Sequence, residues 1–201
     1  YLPLQEQNLA RTLNEAGYQT WHVGKWHLGD DDFHPDKQGF DVNVGGCHMG
    51  CPHHGYFSPW QIPTLEDGPE GEYLTHRLTD EAVRLIRERD KDRPFYLNFW
   101  HYTVHTPIQA PELLVNKYRD KAKRLKLDQK DPFVEGECFP CLHKQDKRVT
   151  RRLFQSDPVY AAMVETMDTS IGTVLETLES EGLADDTIVI FTSDNGGLST
   201  A

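Results

Sequence analysis

Three short clusters, in a fixed order along the chain, carry the side chains best suited to chemistry. They are GKWHLG at residues 24–29, HTP at residues 105–107 and SDNGG at residues 193–197. A lysine offers a compact cation to an anionic oxygen, a histidine transfers protons, and carboxylate and amide oxygens bind hard metal ions. Each cluster follows a segment that the sequence predicts to be a β-strand, and an open α/β sheet places its reactive groups at its strand ends.

The first cluster presents Lys25 and His27 two residues apart. In an extended segment these two side chains project to the same side, whereas Trp26 points into the packing. The sequence therefore predicts that Lys25 and His27 act together at the end of a strand. Taken alone, the cluster favours an exposed strand end that has no role.

The second cluster presents His105 in front of Thr106 and Pro107. The proline biases Thr106 toward extended geometry, which limits how the loop orients the imidazole. His105 is therefore the candidate proton donor to a departing alkoxide. His101 is the competing candidate, although it lies nearer the strand and lacks the His-x-Pro context.

The third cluster pairs the carboxylate of Asp194 with the side-chain amide of Asn195. The two glycines that follow allow backbone conformations in which both side chains face one point. Oxygen ligands of this kind suit Ca²⁺ or Mg²⁺, so Asp194 and Asn195 are the candidate metal ligands. The alternative is an ordinary Asp-Asn-Gly-Gly turn, and the position after a predicted strand favours the metal.

The elements that must position these clusters follow from hydrophobic spacing, which predicts helix and strand in alternation three times. Helices are predicted near residues 5–16, 73–89 and 157–182, and strands at residues 18–23, 95–100 and 187–192. The apolar run at residues 187–192 is typical of a strand buried in a parallel sheet. The sequence therefore predicts an α/β fold with a mostly parallel central sheet flanked by helices.

The third helix has the clearest boundaries, since Asp157 is a good N-cap, Pro158 suits the first helical position and Gly182 stops the helix. Its predicted apolar face consists of Val159, Met163, Met167, Ile171, Val174, Leu175 and Leu178. Two long stretches, residues 30–72 and 120–156, lack useful periodicity and are predicted to be loops or insertions that contribute to substrate specificity. Tyr56, Phe57 and Trp60 either line a sugar-binding or aryl-binding surface or anchor their loop to the core.

Composition excludes some classes of function. The 201 residues carry 21 basic and 32 acidic side chains, a net charge of −11, which argues against wholesale nucleic-acid binding. No hydrophobic run is long enough to cross a membrane. Four cysteines form two close pairs, Cys47/Cys51 and Cys138/Cys141. The spacing of these pairs favours two disulfides or unpaired thiols over a structural zinc site, and the sequence does not separate the first two.

Together the three clusters resemble the sulfatase family. The resemblance implies an alkaline-phosphatase-like fold and a reaction that hydrolyses sulfate esters, on a sulfated carbohydrate or an aryl sulfate. It further implies that Lys25 binds the sulfate, that His27 contacts the nucleophile and assists sulfate release, and that His105 binds substrate and protonates the leaving group. Asp194 and Asn195 correspond to two ligands of a metal, with Ca²⁺ preferred over Mg²⁺.

The resemblance also implies a formylglycine nucleophile, made from the Cys or Ser of a Cys/Ser-x-Pro-x-Arg motif upstream of the GKWHLG segment. No residue of this chain occupies that position. The partial match CFPCL at residues 138–142 comes after the GKWHLG segment and has Leu142 in place of the arginine. Residues 1–201 are therefore expected to be part of the N-terminal sulfatase catalytic domain, truncated at both ends and inactive alone. The other metal ligands, a pair of aspartates, are expected upstream as well.

Three other readings stay open at this stage. A phosphomonoester or phosphonate-ester hydrolase of the same superfamily is the nearest alternative. A non-catalytic remnant that binds sulfated glycans and a zinc-organised interaction domain are the others. The resemblance implies a periplasmic, extracellular or lysosomal location, and it leaves the sugar and the oligomeric state open.

Overall fold

The computed structural model describes residues 1–197. Its centre is a three-stranded parallel sheet in the order β2-β1-β3. The strands are β1 (Gln19–Gly24), β2 (Val42–Val44) and β3 (Phe95–Trp100). Gly24 pairs with Trp100 at the carboxyl ends of β1 and β3. The prediction of a parallel sheet is therefore confirmed, and the loops that follow these three strands leave from one edge.

Four α-helices accompany the sheet. They are α1 (Leu9–Glu15), α2 (Leu74–Glu88), α3 (Glu112–Arg124) and α4 (Pro158–Ser180). Helix α2 lies between β2 and β3 in the chain and provides the crossover that parallel strands require. It packs against β1, and α4 packs against both α2 and α3. Within residues 1–197 none of the helices has the length and apolar character needed to cross a membrane.

The sheet is covered on both faces because successive side chains of a strand point in opposite directions. Trp21 and Val23 of β1 face the main core, which α2 supplies with Leu74, Leu78 and Ile86. The other face carries a smaller cluster built on Ala10, Trp26 and Phe40. All six residues of β1 are buried, as a central parallel strand requires.

The predicted start of α4 is confirmed, whereas the predicted start of α1 is wrong. Asp157 caps α4, and its carboxylate accepts hydrogen bonds from the backbone N–H groups of Val159 (2.7 Å) and Tyr160 (2.9 Å). Asn8 caps α1 in the same way, through the N–H of Arg11 at 3.0 Å. Helix α1 consequently begins at Leu9, four residues later than hydrophobic spacing alone predicts.

The predicted apolar face of α4 is wrong in part. Met163 and Leu178 are buried, but Leu175 is 42% exposed. The buried stripe instead includes the hydroxyl residues Thr166, Ser170 and Thr177. Thr166 and Thr177 donate to helix carbonyls four residues earlier, each at 2.8 Å, and Ser170 bonds Thr79 of α2. Because these hydroxyls find partners within the helix pair, they are buried at little cost.

Several elements lie where the sequence shows no useful periodicity. Strand β2 lies within the stretch 30–72, together with the short 3-10 turns Asp31–Phe33 and Pro35–Lys37. The stretch 120–156 contains an antiparallel hairpin, β4 (Phe133–Cys138) with β5 (Arg148–Arg152). Most of the hairpin is exposed and charged, so it lacks the alternation of apolar and polar residues that identifies a strand from sequence.

The predicted buried strand at residues 187–192 is wrong. This segment pairs with no strand of the described chain, and Ile188, Ile190 and Phe191 are 89%, 81% and 71% exposed. A run of β-branched and aromatic residues indicates that a segment favours extended, buried geometry. It becomes a strand only when a neighbouring strand completes its hydrogen bonds, and the sheet described here contains β2, β1 and β3.

Candidate functional site

The carboxyl end of β1 places Lys25. Gly24 has φ of +101°, and a Cβ atom at this position would overlap the carbonyl oxygen of Trp100. The N–H of Lys25 donates to that same oxygen at 2.8 Å. Only glycine lets β1 and β3 approach so closely, and the close approach fixes the point at which Lys25 leaves the sheet.

The residue after Lys25 anchors the segment. Trp26 is only 4% exposed, stacks on Trp100 with ring centroids 5.5 Å apart, and donates from Nε1 to the carbonyl of Phe33 at 2.9 Å. Lys25 is half-buried and His27 is exposed. Trp26 is therefore buried between two more accessible polar neighbours, as predicted, although the extended geometry assumed for residues 25–27 does not continue through His27.

His27 leaves extended geometry, with φ of +58°. Its N–H donates to the carbonyl of Cys47 at 2.9 Å, which joins it to the loop after β2. Gly50 of that loop lies against the imidazole, since a Cβ added there would come within 2.6 Å of the ring. The loop after β2 therefore contributes one wall of the space around His27.

The loop after β3 presents His105. This residue is exposed, and its Nδ1 lies 3.2 Å from the carbonyl oxygen of Thr106. Behind it, the hydroxyl of the buried Tyr56 donates to the carbonyls of Tyr102 (2.7 Å) and His105 (3.0 Å). The Tyr56 hydroxyl thus fixes the backbone that carries His105, while the imidazole of His105 stays accessible.

Tyr102 joins the loops after β2 and β3. Its hydroxyl donates to the carbonyl of Gly45 at 2.8 Å, and it is only 2% exposed. Burial raises the pKa of both Tyr56 and Tyr102, so each hydroxyl stays protonated and acts as a donor. Hydrogen bonds thus connect the loops after β1, β2 and β3, which carry or surround Lys25, His27 and His105.

Two further histidines near these loops are neutral, and of these His22 is fully buried and His101 is partly buried. Burial lowers the pKa of His22 from 6.5 to about 4, and that of His101 from 6.5 to about 4. His101 lies against the ring of Phe99 at 4.1 Å. At neutral pH it carries no extra proton to donate, which favours His105 over His101 as the candidate acid.

His22 is a supporting residue that sequence reasoning missed. Its Nε2 lies 3.1 Å from the carbonyl of Gly24, and its Nδ1 lies 3.0 Å from the side-chain amide of Asn98. A neutral imidazole that donates from Nε2 and accepts at Nδ1 satisfies both contacts. The ring thereby supports the ends of β1 and β3 directly below Lys25. Its position between the apolar residues Trp21 and Val23 of β1 was the available signal.

Asp194 and Asn195 take no part in the hydrogen bonds described above between the loops after β1, β2 and β3. Both are exposed, and the Asp194 carboxylate accepts from the backbone N–H and side-chain amide of Asn195 at 2.8 and 3.2 Å. Gly197 lies against the hydroxyl of Tyr160 at the start of α4. The observed geometry is therefore a turn beside α4, and within residues 1–197 no other carboxylate or histidine joins Asp194 in a three-ligand group.

The aromatic residues of the stretch 30–72 anchor the loop. Tyr56 and Trp60 are fully buried, and Trp60 donates from Nε1 to the carbonyl of Tyr56 at 3.0 Å. Phe57 packs partly buried against the main core. Of the two interpretations given above, anchoring is the one that the structure supports.

All four cysteines are free thiols, so the two disulfides are not observed. Cys47 is completely buried beside the Tyr102 hydroxyl, and burial raises the pKa of its thiol. In the described part of the chain no cysteine belongs to a group of three metal-ligating side chains. Unpaired thiols are therefore the arrangement observed, and the cysteine pairs do not organise a zinc site there.

A parallel sheet with helices around it, and polar loops at one edge, defines an α/β protein. More particularly, the chain belongs to the sulfatase family, because residues 1–200 match the family described as Sulfatase. It is 32% identical over 213 residues to N-acetylgalactosamine-6-sulfatase of Homo sapiens, covering 97% of this chain and 33% of that protein. It is 30% identical over 213 residues to arylsulfatase J of Mus musculus, covering 100% and 30% respectively.

Among solved structures, the chain is similar to BT4656 in complex with its substrate D-glucosamine-2-N,6-O-disulfate. The TM-score is 0.58 and the identity 19%, with 90% of this chain and 48% of that chain covered. This likeness confirms the fold. The chain spans about a third of the length of the two mammalian relatives.

Proposed function

We propose that the protein to which this chain belongs hydrolyses sulfate esters. The observation that carries the proposal is the pairing of Gly24 with Trp100, which brings the segments that carry Lys25 and His105 to one edge of the sheet. A sulfate monoester has its charge on peripheral oxygens. Its cleavage requires cations around those oxygens, a nucleophile in line with the leaving oxygen, and an acid for that oxygen.

Lys25 and His27 act on the sulfate in this proposal. The Lys25 ammonium contacts a peripheral oxygen and stabilises the charge that gathers there as the ester bond breaks. His27 lies beyond the buried Trp26 and assists release of sulfate. The rigid support of this segment by Trp26 and Gly24 favours the role, because oriented charge needs little reorganisation during the reaction.

His105 acts on the other side of the scissile bond. It binds the ester oxygen and, when protonated, donates to the departing alkoxide. Its exposure and its anchored backbone support this role, since the imidazole is accessible while Tyr56 fixes the loop that carries it.

Asp194 and Asn195 fit a hard metal ion in kind, because both offer oxygen donors and both are exposed. Ca²⁺ takes about six to eight oxygen ligands, so these two residues would hold only part of its shell. We propose Ca²⁺ rather than Mg²⁺ on the family resemblance. When bound, the ion neutralises charge on the sulfate oxygens.

The nucleophile in this proposal is a formylglycine upstream of Tyr1, whose hydrated aldehyde supplies the attacking oxygen. The CFPCL segment does not supply the nucleophile in this proposal, because it lacks the arginine of the motif and its Cys138 lies in an exposed hairpin.

The substrate in this proposal is a sulfated sugar handled outside the cytosol. N-acetylgalactosamine-6-sulfatase is named for such a substrate, and BT4656 binds a glucosamine disulfate. A locally basic pocket suits an anionic sugar despite the net charge of −11, since the field in a cleft depends on nearby groups.

The test uses the full-length protein with mature formylglycine. Release of inorganic sulfate from 4-nitrophenyl sulfate and from galactosamine and glucosamine sulfates is compared with release of phosphate from 4-nitrophenyl phosphate. We expect turnover of the sulfates, and a loss of at least about 100-fold on Lys25→Ala. Lys130→Ala, at an exposed lysine of the charged stretch, is the control.

Faster release of phosphate than of sulfate would contradict the proposal and favour a phosphoester hydrolase. Binding of sulfated sugars without release of sulfate would instead indicate a glycan-binding remnant. If Lys25→Ala and Lys130→Ala changed the rate of sulfate release equally, Lys25 would not belong to the site.

A further inference from the structure

A buried imidazole nitrogen without a partner identifies a second region of interest. His34 is 6% exposed, and its Nε2 has no hydrogen-bond partner among the described residues. A buried polar atom left unpaired is costly, so such an atom calls for an explanation. His34 follows the turn Asp31–Phe33 and lies between the GKWHLG cluster and β2 in the chain.

Two other side chains of types that can bind a metal lie close to His34. Asp31 Oδ1 lies 3.4 Å from His34 Nε2. One ligand atom each from Asp31, His34 and His48 falls within 4.8 Å of the other two. His48 comes from the loop after β2, so residues from two separate loops meet here.

We propose that Asp31, His34 and His48 form a zinc site. Zn²⁺ binds imidazole nitrogen and carboxylate oxygen at about 2.0–2.2 Å in tetrahedral geometry, which places two ligand atoms about 3.3–3.5 Å apart. The distance between Asp31 Oδ1 and His34 Nε2 already has that value. His48 and Asp31 are exposed, so their side chains can turn to close the remaining distance without disturbing the core.

The donor set selects the class of metal. Two imidazoles and one carboxylate suit zinc and its neighbours in the first transition row, whereas Ca²⁺ and Mg²⁺ prefer oxygen ligands throughout. Three protein ligands leave a fourth position for water. This site is therefore chemically distinct from the oxygen ligands Asp194 and Asn195.

The backbone around the cluster is held in place on both sides. The carbonyl of Phe33 accepts from Trp26 Nε1 at 2.9 Å, and the carbonyl of Cys47 accepts from the N–H of His27 at 2.9 Å. A bound zinc ion joins these two loops, and both loops already contact the segment that carries Lys25 and His27. The site thus fastens the loops around His27, and its existence does not depend on the proposed sulfatase activity.

The test is a zinc titration of the untagged full-length protein after treatment with a chelator, in competition with a chromophoric zinc indicator. We expect one equivalent of zinc to bind. Removal of a partner that merely orients a metal ligand costs about 10–100-fold in affinity, so His48→Ala and Asp31→Ala should each weaken binding at least about 10-fold. Both positions are exposed, and unchanged circular dichroism verifies that the variants fold.

Matched controls come from exposed residues of the same types nearby. His53→Ala and Asp32→Ala should leave the zinc affinity unchanged, because neither side chain belongs to the cluster. Co²⁺ in place of zinc should give visible d–d bands without a sulfur-to-cobalt charge-transfer band in the near ultraviolet. Excess Ca²⁺ should not displace zinc.

Three results would overturn the proposal. One is the lack of stoichiometric zinc binding by the folded chain. Another is a thiolate charge-transfer band, which would assign the metal to the cysteines. The third is an equal loss of zinc affinity in His48→Ala and His53→Ala.

Discussion

Burial sorts the histidines near the strand ends into two kinds. His22 is fully buried and His101 is partly buried, and burial lowers the pKa of each to about 4. His27 and His105 are exposed on loops. The buried imidazole of His22 serves as a fixed hydrogen-bonding group that supports the sheet. The exposed imidazoles of His27 and His105 are accessible to a substrate.

Replacement of His105 by alanine in the full-length protein should slow esters with poor leaving groups most. A positioned acid contributes typically about 10²–10⁴-fold, and a good leaving group such as nitrophenolate needs little protonation. The measurement is kcat for a series of aryl and sugar sulfates plotted against the pKa of the leaving group. The slope should steepen in His105→Ala and stay unchanged in His143→Ala, at an exposed histidine near the hairpin. An equal loss on every ester would count against an acid role.

Gly24→Ala should destabilise the fold by about 1–3 kcal/mol, because the added methyl group meets the Trp100 carbonyl at a positive φ. Gly17→Ala is the matched control, since Gly17 also has positive φ but nothing lies within 4 Å of an added Cβ. Urea denaturation of both variants measures the difference. If Gly24→Ala and Gly17→Ala lost the same stability, the positive φ alone, and not the close approach of β1 and β3, would explain the glycine at position 24.

At the scale of elements, the site depends on loops more than on the strands they follow. The strands provide one edge, but β2 is only three residues long. What fixes the loops is a set of buried hydrogen bonds from Tyr56, Tyr102 and Trp26 to backbone carbonyls. Catalytic loops held by a rigid scaffold are common in α/β proteins, and here aromatic side chains supply much of that rigidity.

Asp157→Ala should lower the free energy of unfolding by about 1 kcal/mol, because it removes the acceptor for two N–H groups at the start of α4. Glu176→Ala, on the exposed face of the same helix, is the control and should change stability little. Thermal or urea unfolding followed by circular dichroism measures both. A loss as large in Glu176→Ala would show that helix charge, and not the cap, is responsible.

For the whole molecule, burial of neutral histidines links stability to pH. The pKa of His22 is 6.5 when exposed and about 4 in the folded chain, so the unfolded state binds the proton more readily. The contribution of neutral His22 is complete above about pH 6.5 and is lost as the pH falls toward 4. A shift of this size corresponds to a loss on the order of 3 kcal/mol.

His22→Gln should flatten this dependence, because an amide makes comparable hydrogen bonds and does not titrate. The free energy of unfolding is measured in urea at pH values from 7.5 to 4 in both proteins, with exposed His54→Gln as the control. His101 still contributes to the pH dependence in His22→Gln. The plot of unfolding free energy against pH should therefore become shallower without becoming flat. An unchanged slope in His22→Gln would assign the acid sensitivity to other groups.

The sequence by itself determined the features that depend on neighbouring residues. Local spacing and residue type predicted the helix cap at Asp157, the strands β1 and β3, and the three clusters with their family resemblance. The cap at Asn8 was not predicted, and hydrophobic spacing alone began that helix too early. Local rules suffice there because a cap or an apolar period acts over a few residues, whatever the rest of the chain does.

Tertiary structure decided what depends on a distant partner. The apolar run at residues 187–192 needs a neighbouring strand, and the described sheet does not pair with it. Burial, which distinguishes His101 from His105, is a property of the packed chain. The meeting of His34 with His48 was hidden for the same reason, since the two residues lie on different loops and only the parallel arrangement of β1 and β2 brings those loops together.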